Sequence, residues 1–273
     1  MSARGESLRI AASMTVACAL GALVLGGVYV ATERYARAAR ADGERRAVVE
    51  LLGLDASASI QEVGQFLIPD RGEVVYEARP FGAGGAPARR LAFTLDGRLV
   101  AGDAQAGGEK PRPLGRLFIA TRGGAPLGFV VEGVARGYKN RIRFLIGLDR
   151  DFAITGVRVV EHEEDPGLGA EVATRAFGGQ FIGRGARDAA ALEVTRDPMP
   201  EDWRAALAQL SRVPAAPWRE RQRGLIERER ARPIYAVTGA TISSRALTEG
   251  LKTTVDHFRR RWALLEPALG GAR

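Results

Sequence analysis

Two short segments hold residue types able to bind or react. The first, Val159-Val160-Glu161-His162-Glu163-Glu164-Asp165-Pro166-Gly167-Leu168-Gly169, ends a run of β-formers in a Pro-Gly turn beside an imidazole and several carboxylates. Its glycines let a backbone approach a ligand closely. The same composition also suits a solvated acidic loop, and spacing alone leaves both readings open. The second, Thr238-Gly239-Ala240-Thr241-Ile242-Ser243-Ser244-Arg245, stands where a loop enters the last helical run. Small residues flank hydroxyls there, and a helix start offers free N–H groups and a positive dipole end, the outline of a phosphate site. An ordinary N-cap by Thr241 or Ser243 fits the same residues.

The elements that must position these segments are strands followed by helices. Runs rich in β-formers cover Glu73–Ala78, Arg90–Leu95, Arg98–Ala101, Arg116–Thr121, Leu127–Val134, Ile142–Leu148 and Ile154–Glu161, with Asp96-Gly97 and Gly123-Gly124 as turns. Helical patterns cover Glu171–Phe177, Asp202–Leu210 and Arg219–Arg232. A final helix runs from about Ser243 to Leu265, where Leu247, Leu251, Val255, Phe258 and Trp262 recur at three- and four-residue steps. Residues 33–68 read as a helical linker, with Ser59-Ile60-Gln61-Glu62 as a capping box and Pro69 as its stop. The fold class expected is α+β.

Composition excludes several chemistries. The 273 residues hold one Cys and two His, His162 and His257, so an internal disulfide, a Cys-built iron–sulfur or zinc centre and a His-rich metal centre cannot come from this chain alone. The formal charge of +8 raises the question of nucleic acid, but only Lys110, Lys139 and Lys252 of the 40 basic residues are lysines, and no nucleic-acid motif accompanies them. The excess Arg reads as coding bias, so neither metal nor nucleic acid is expected.

Ile10 to Thr32 carries no charged residue, and its 23 positions would rise about 35 Å as a helix, enough for a bilayer core of roughly 30 Å. The apolar part exceeds that of a cleaved secretory peptide. Residues 1–9 then form a short cytoplasmic N-terminus, 10–32 a single-pass anchor, 33–68 the linker and 69–273 the folded domain, with an insertion at about 195–233 whose Arg-rich helix reads as a solvated face. The positive charges Arg34, Arg37, Arg40, Arg45 and Arg46 after the span outnumber Arg4 and Arg9 before it, which by itself favours a cytoplasmic C-terminal part.

Taken together, Gly137-Tyr138, Leu145-Ile146-Gly147-Leu148-Asp149, Ile154-Thr155-Gly156-Val157, His162 to Gly169, Phe177, Phe181 and Thr238-Gly239-Ala240-Thr241 resemble, in order, the covalent FMN-binding domain family. The family is shared by the G subunit of the Rnf electron-transport complex and the C subunit of the sodium-translocating NADH:quinone reductase, and the Gly-Tyr opening and Ala240 to Ala246 look closer to the Rnf protein. The resemblance implies FMN carried by a phosphoester on Thr241, with Thr238, Gly239 and Ala240 completing the motif and Ser243 next to it. It also implies that the loop holding His162, Glu164, Pro166, Gly167, Leu168 and Gly169 lies near the flavin. Two departures from the family pattern are Tyr235, three residues before the motif, where Asp is frequent, and Asp165, where Thr is usual.

By the same resemblance the chain is an anchored electron carrier in the inner membrane, its domain on the periplasmic side. Its partners would be integral-membrane and iron–sulfur subunits, with a flavin transferase for maturation; translocation would belong to the partners. A stand-alone anchored flavoprotein reductase, a component of a related NADH:quinone reductase and a flavin-free scaffold are the alternatives.

Overall fold

A computed structural model of the chain describes residues 3–53, 58–81, 89–100, 110–185, 188 and 191–269. The chain divides into two units, one as far as Arg46 and one from Ala47 to Arg273. Helix α1 covers Ala3–Leu52, and within it Ala12–Glu33 is long and apolar enough to cross a membrane.

The second unit is built on an antiparallel sheet of eight strands: β1 (Ser59–Ile68), β2 (Glu73–Pro80), β3 (Arg89–Thr94), β4 (Leu99–Val100), β5 (Arg112–Arg122), β6 (Ala125–Arg136), β7 (Arg141–Asp149) and β8 (Ile154–Glu161). Their order is β4-β3-β2-β1-β5-β6-β7-β8, so each hairpin lies beside the next except where β5 returns to the free edge of β1. Strand-to-strand pairing at consecutive positions requires short turns, and the Asp96-Gly97 and Gly123-Gly124 dipeptides sit at the expected hairpins.

One expectation fails here. Ser59–Ile68 is not the end of a helical linker: it is a central strand, paired to β2 from Gln61↔Pro80 to Ile68↔Glu73 and to β5 from Ser59↔Thr121 to Leu67↔Arg112. The local capping signal loses to two full ladders of main-chain hydrogen bonds, and Gly64 in its midst disfavours a helix by about 1 kcal/mol. Pro69 therefore ends a strand and opens a single 3-10 turn, Pro69–Arg71.

The two faces of the sheet are covered differently. On one face lies α6 (Thr241–Leu269), whose stripe of Leu247, Leu251, Val255, Phe258, Trp262 and Leu265 is buried against Val63, Leu117, Phe129, Phe144 and Ile146. The other face takes Ala47, Val48, Leu51 and Leu52, the last turns of α1, against Phe118, Ala120, Val130 and Leu145. Thr155 Oγ1 donates to the Leu51 carbonyl at 2.8 Å, and Glu50 accepts from Arg158 and Arg175 at 2.7 and 2.9 Å, which fastens that helix end to β8 and the segment after it.

After β8 a 3-10 turn (Gly169–Ala173) leads to the short α2 (Arg175–Gly179). The insertion then forms α3 (Glu201–Ala208), α4 (Ala215–Arg221) and α5 (Arg223–Glu229), flanked by the two-residue strands β9 (Val194–Thr195) and β10 (Ile234–Tyr235), which pair in parallel. The Arg-rich run is two helices rather than one, and it is not only a solvated face. Trp203, Leu207, Trp218 and Ile226 build a separate core against Ile182 and Tyr235, and Trp218 Nε1 donates to the Ala206 carbonyl at 2.8 Å.

The depth at which α6 sits on the sheet is set at Gly133 of β6. A Cβ there would overlap the Phe144 ring and come within 2.5 Å of Thr254 Oγ1. Replacing Gly133 by Ala is expected to destabilise the domain by about 1–3 kcal/mol, as overpacking does, read as a lower midpoint with unchanged slope in denaturant unfolding.

Candidate functional site

The loop from His162 to Gly169 leaves the end of β8 and turns back at Pro166-Gly167, with Leu168 N and Ala170 N both donating to the Asp165 carbonyl at 3.2 and 3.0 Å. Glu164 does not face solvent. It is 4% exposed; its Oε1 accepts from the Lys139 backbone N–H at 3.0 Å and its Oε2 accepts from the Ser243 hydroxyl. One carboxylate thus ties together the acidic loop, the β6–β7 turn and the first turn of α6. Buried carboxylates persist only with such donors.

Two glycines make room for it. A Cβ on Gly137 would strike Glu164 Oε1, and one on Gly169 would lie 2.6 Å from Oε2. Beside them, Lys139 Nζ lies 2.5 Å from Asp165 Oδ1, and that bond, followed by the Coulomb attraction of the same carboxylate, raises the lysine's pKa above its ordinary value. Asp165 therefore has its own partner across the turn. Asn140 Nδ2 donates to Glu163 Oε2 at 2.7 Å in the same way.

The second segment folds as a cap. Ala240 N donates to the Val237 carbonyl, Val237 N to the Ser244 hydroxyl at 3.1 Å, and that hydroxyl to the Ala240 carbonyl at 2.9 Å. Gly239 takes φ +78°, a conformation that favours glycine, and a Cβ there would meet Leu168 Cδ2 at 2.9 Å. The two segments, more than 60 residues apart in sequence, are in contact.

This arrangement sorts the hydroxyls. Ser243, 1% exposed, is taken up by Glu164, and Ser244 closes the cap. Ser243, expected at the cofactor, thus spends its hydroxyl inside the protein. Thr238 is exposed and Thr241 half-buried; among the described residues neither hydroxyl is engaged in a hydrogen bond. Thr241 is the first residue of a 29-residue helix, whose opening N–H groups lack intrahelical acceptors.

A cavity of about 520 Å³ opens between the segments, with Gly167 on one side and Val237 and Thr238 on the other. Phe177 and Gln180 form its floor and Tyr235 one flank; Gln180 is fixed by reciprocal bonds with the Tyr235 main chain at 2.8 and 3.1 Å. Met199, Arg204 and Leu207 complete it, so the insertion supplies a wall. The volume lies in the range of small-molecule sites. His162 is half-buried, and its Nδ1 is buried without a hydrogen-bond partner among the described residues. A cavity floored by Phe177 and Gln180 and bordered by Gly167 of the acidic loop and Thr238 of the cap suits a ligand with a flat apolar part and polar groups, as a flavin nucleotide has.

The family resemblance implied one site from Thr238 to Thr241 and from His162 to Gly169, and the structure sets Gly239 against Leu168 and puts Thr238 and Gly167 on one cavity. The sequence did not reveal the Glu164–Ser243 bond, the Lys139–Asp165 pair or the wall from Met199 to Leu207. Only Gly137, already prominent beside Tyr138, hinted at the first.

Glu164→Gln removes the charge from the central tie, and it is expected to cost about 1–3 kcal/mol of stability. The amide of Lys139 should exchange faster with solvent by at least tenfold, measured by NMR or mass spectrometry, whereas amides in β1 should change only with global stability.

The family model described as the FMN-binding domain matches residues 137–256. The G subunit of the ion-translocating oxidoreductase complex of Pseudoalteromonas atlantica is 29% identical over 164 residues, covering 59% of this chain and 60% of that one. The G subunit of the Na(+)-translocating ferredoxin:NAD(+) oxidoreductase complex of Acetobacterium woodii is 27% identical over 157 residues, covering 57% and 61%. This chain thus spans about three fifths of the length of the curated relatives it matches. Among solved structures, the crystal structure of Shewanella oneidensis NqrC aligns with a TM-score of 0.49 at 16% identity, covering 84% of this chain and 99% of that one. The matched segment, from 137 to 256, holds both the acidic loop and the Thr-Gly-Ala-Thr cap.

Proposed function

We propose that this chain is a membrane-anchored electron-transfer subunit that carries FMN through a phosphoester on Thr241, within an Rnf-type ion-translocating ferredoxin:NAD oxidoreductase complex. The observation that carries the reading is the sorting of hydroxyls at the start of α6. Ser243 and Ser244 are consumed by internal bonds, which leaves Thr241, at the helix terminus and three residues after the cavity-lining Thr238, with an unengaged oxygen. The names of the relatives support the assembly, and the FMN-binding match supports the cofactor.

FMN, when bound, supplies one- and two-electron transfer. The chain's part is holding and shielding. The first turn of α6 offers N–H groups and a positive end to the phosphate; Gly239, bare of side chain, lets the cap lie close against Leu168 of the acidic loop. Phe177, Leu207 and Met199 would shield an apolar ring held in the cavity from water, and the Gln180–Tyr235 pair fixes the cavity's flank. Ala12–Glu33 supplies the anchor, with the domain outside the cytoplasm, where a flavin transferase completes it.

Two measurements test this. Intact-mass spectrometry of the chain co-expressed with a flavin transferase is expected to show an adduct of about 438 Da, FMN less water, absent in Thr241→Ala and kept in Thr238→Ala; an unmodified wild type overturns the reading. A reporter active only outside the cytoplasm, fused after Arg273, should be active, and copurification should recover integral-membrane subunits. A reporter active only inside rejects the topology and the route of maturation with it.

A further inference from the structure

α2 parts two spaces that share no lining residue. On one side is the cavity of about 520 Å³, which α2 borders with Ala176 and Phe177 and, just past its end, with Gln180. On the other is a void of only about 30 Å³, lined among others by Glu50 of α1, Val157 and Arg158 of β8, and Gly178 and Gly179 of α2 itself. The closed side leaves α2 little room to recede. A Cβ on Gly178 would lie 2.8 Å from the Val157 carbonyl oxygen, and one on Gly179 would lie 2.7 Å from Leu207 Cδ2. The open direction for α2 is the cavity.

A helix of five residues does not persist on its own hydrogen bonds, and its N-cap, in which Thr174 Oγ1 accepts from Phe177 N at 3.2 Å, lies next to it in sequence. Its place is therefore set from outside. Gln180 ties one side to the Tyr235 main chain, and Arg175 ties the other. Arg175 Nη2 donates to Glu50 Oε2 at 2.9 Å, and its Nη1 donates to the Leu210 carbonyl at 3.2 Å. One guanidinium thus joins the end of α1, α2 and the turn after α3, the helix whose Leu207 lines the cavity. The same Glu50 oxygen accepts from Arg158 Nη2 at 2.7 Å, so the carboxylate is itself pinned to β8.

We propose that Arg175, held by Glu50 of α1, is a positioning residue for the flavin: it fixes α2, and through Phe177 and Gln180 the floor of the cavity, without bordering the cavity itself. The inference rests on the reading of that cavity as the flavin's place. Glu50 is the only anion bonded to both Arg158 and Arg175 among the described residues. Without its charge the two guanidiniums face each other across a neutral group, and their repulsion drives Arg175, with α2, toward the open side.

The test uses the full chain in a neutral detergent. Hydrogen exchange is measured first in Thr241→Ala, where no flavin is attached, alone and combined with Glu50→Gln, Arg175→Met or Arg158→Met. With Glu50→Gln or Arg175→Met the amides of Phe177 and Gln180 should exchange roughly tenfold faster or more, in excess of any change in the amides of β1. Arg158→Met, which keeps the Glu50–Arg175 bond, should have the smaller effect. Iodide quenching of flavin fluorescence is then measured in chains matured with a flavin transferase. Glu50→Gln and Arg175→Met should raise the quenching severalfold, because a displaced floor opens the ring to solvent, and Arg158→Met should not; a loss of stability alone would not sort the three variants in this way. Unchanged exchange in α2, or an effect of Arg158→Met as large as that of Glu50→Gln, overturns the proposal and leaves the flavin reading intact. A wild type without attached flavin, or faster exchange with unchanged quenching, rejects the flavin's place in this cavity and the proposal with it.

Discussion

The burial of the Glu164 carboxylate is the constraint on which the rest of the site depends. A charge withdrawn from water needs donors at fixed places, and here they come from two separate elements: the Lys139 amide in the β6–β7 turn and the Ser243 hydroxyl in α6. The loop can close over the helix start only when all three are in register. Gly137 and Gly169 are bare because the carboxylate occupies the space their side chains would need. Sequence, turn geometry and site position are thus links of one chain of cause.

That tie acts at one end of α6, and the aromatic contacts act at the other. Trp262 packs 4.5 Å from the Phe129 ring and Phe258 5.1 Å from it, both centroid to centroid, so the far half of the helix is clamped to β6. The close approach at Gly133 fixes its height between the two. A rigid rod held at three places presents its N-terminus at a fixed point, which is what the proposed attachment at Thr241 would require.

Legibility in the sequence followed the range of the interactions. The strands from Arg112 to Glu161 and the stripe of α6 were readable because alternation and three-to-four periodicity are local consequences of burial. Ser59–Ile68 misled because its local signal was a helix cap, while its real partners lie in β2 and β5. The Thr-Gly-Ala-Thr cap was visible as a motif, but Ser243 was not separable from Thr241 by spacing. Their roles diverge only because Glu164, 79 residues earlier, claims one hydroxyl and leaves the other. The parallel pair of Val194–Thr195 with Ile234–Tyr235 left no local trace at all, since each strand is two residues long.

The insertion shows the same principle at larger scale. Read as a run of charge, residues 195–233 look like solvated elaboration, because Arg dominates and the apolar positions are sparse. In the fold those few positions do the packing: Trp203 and Trp218 lie 6.0 Å apart, centroid to centroid, within a core that also takes in Tyr235. Tyr235 also flanks the cavity, and Met199, Arg204 and Leu207 line it from the same side. Tyr235 is therefore a ring that joins the insertion's core to the cavity wall.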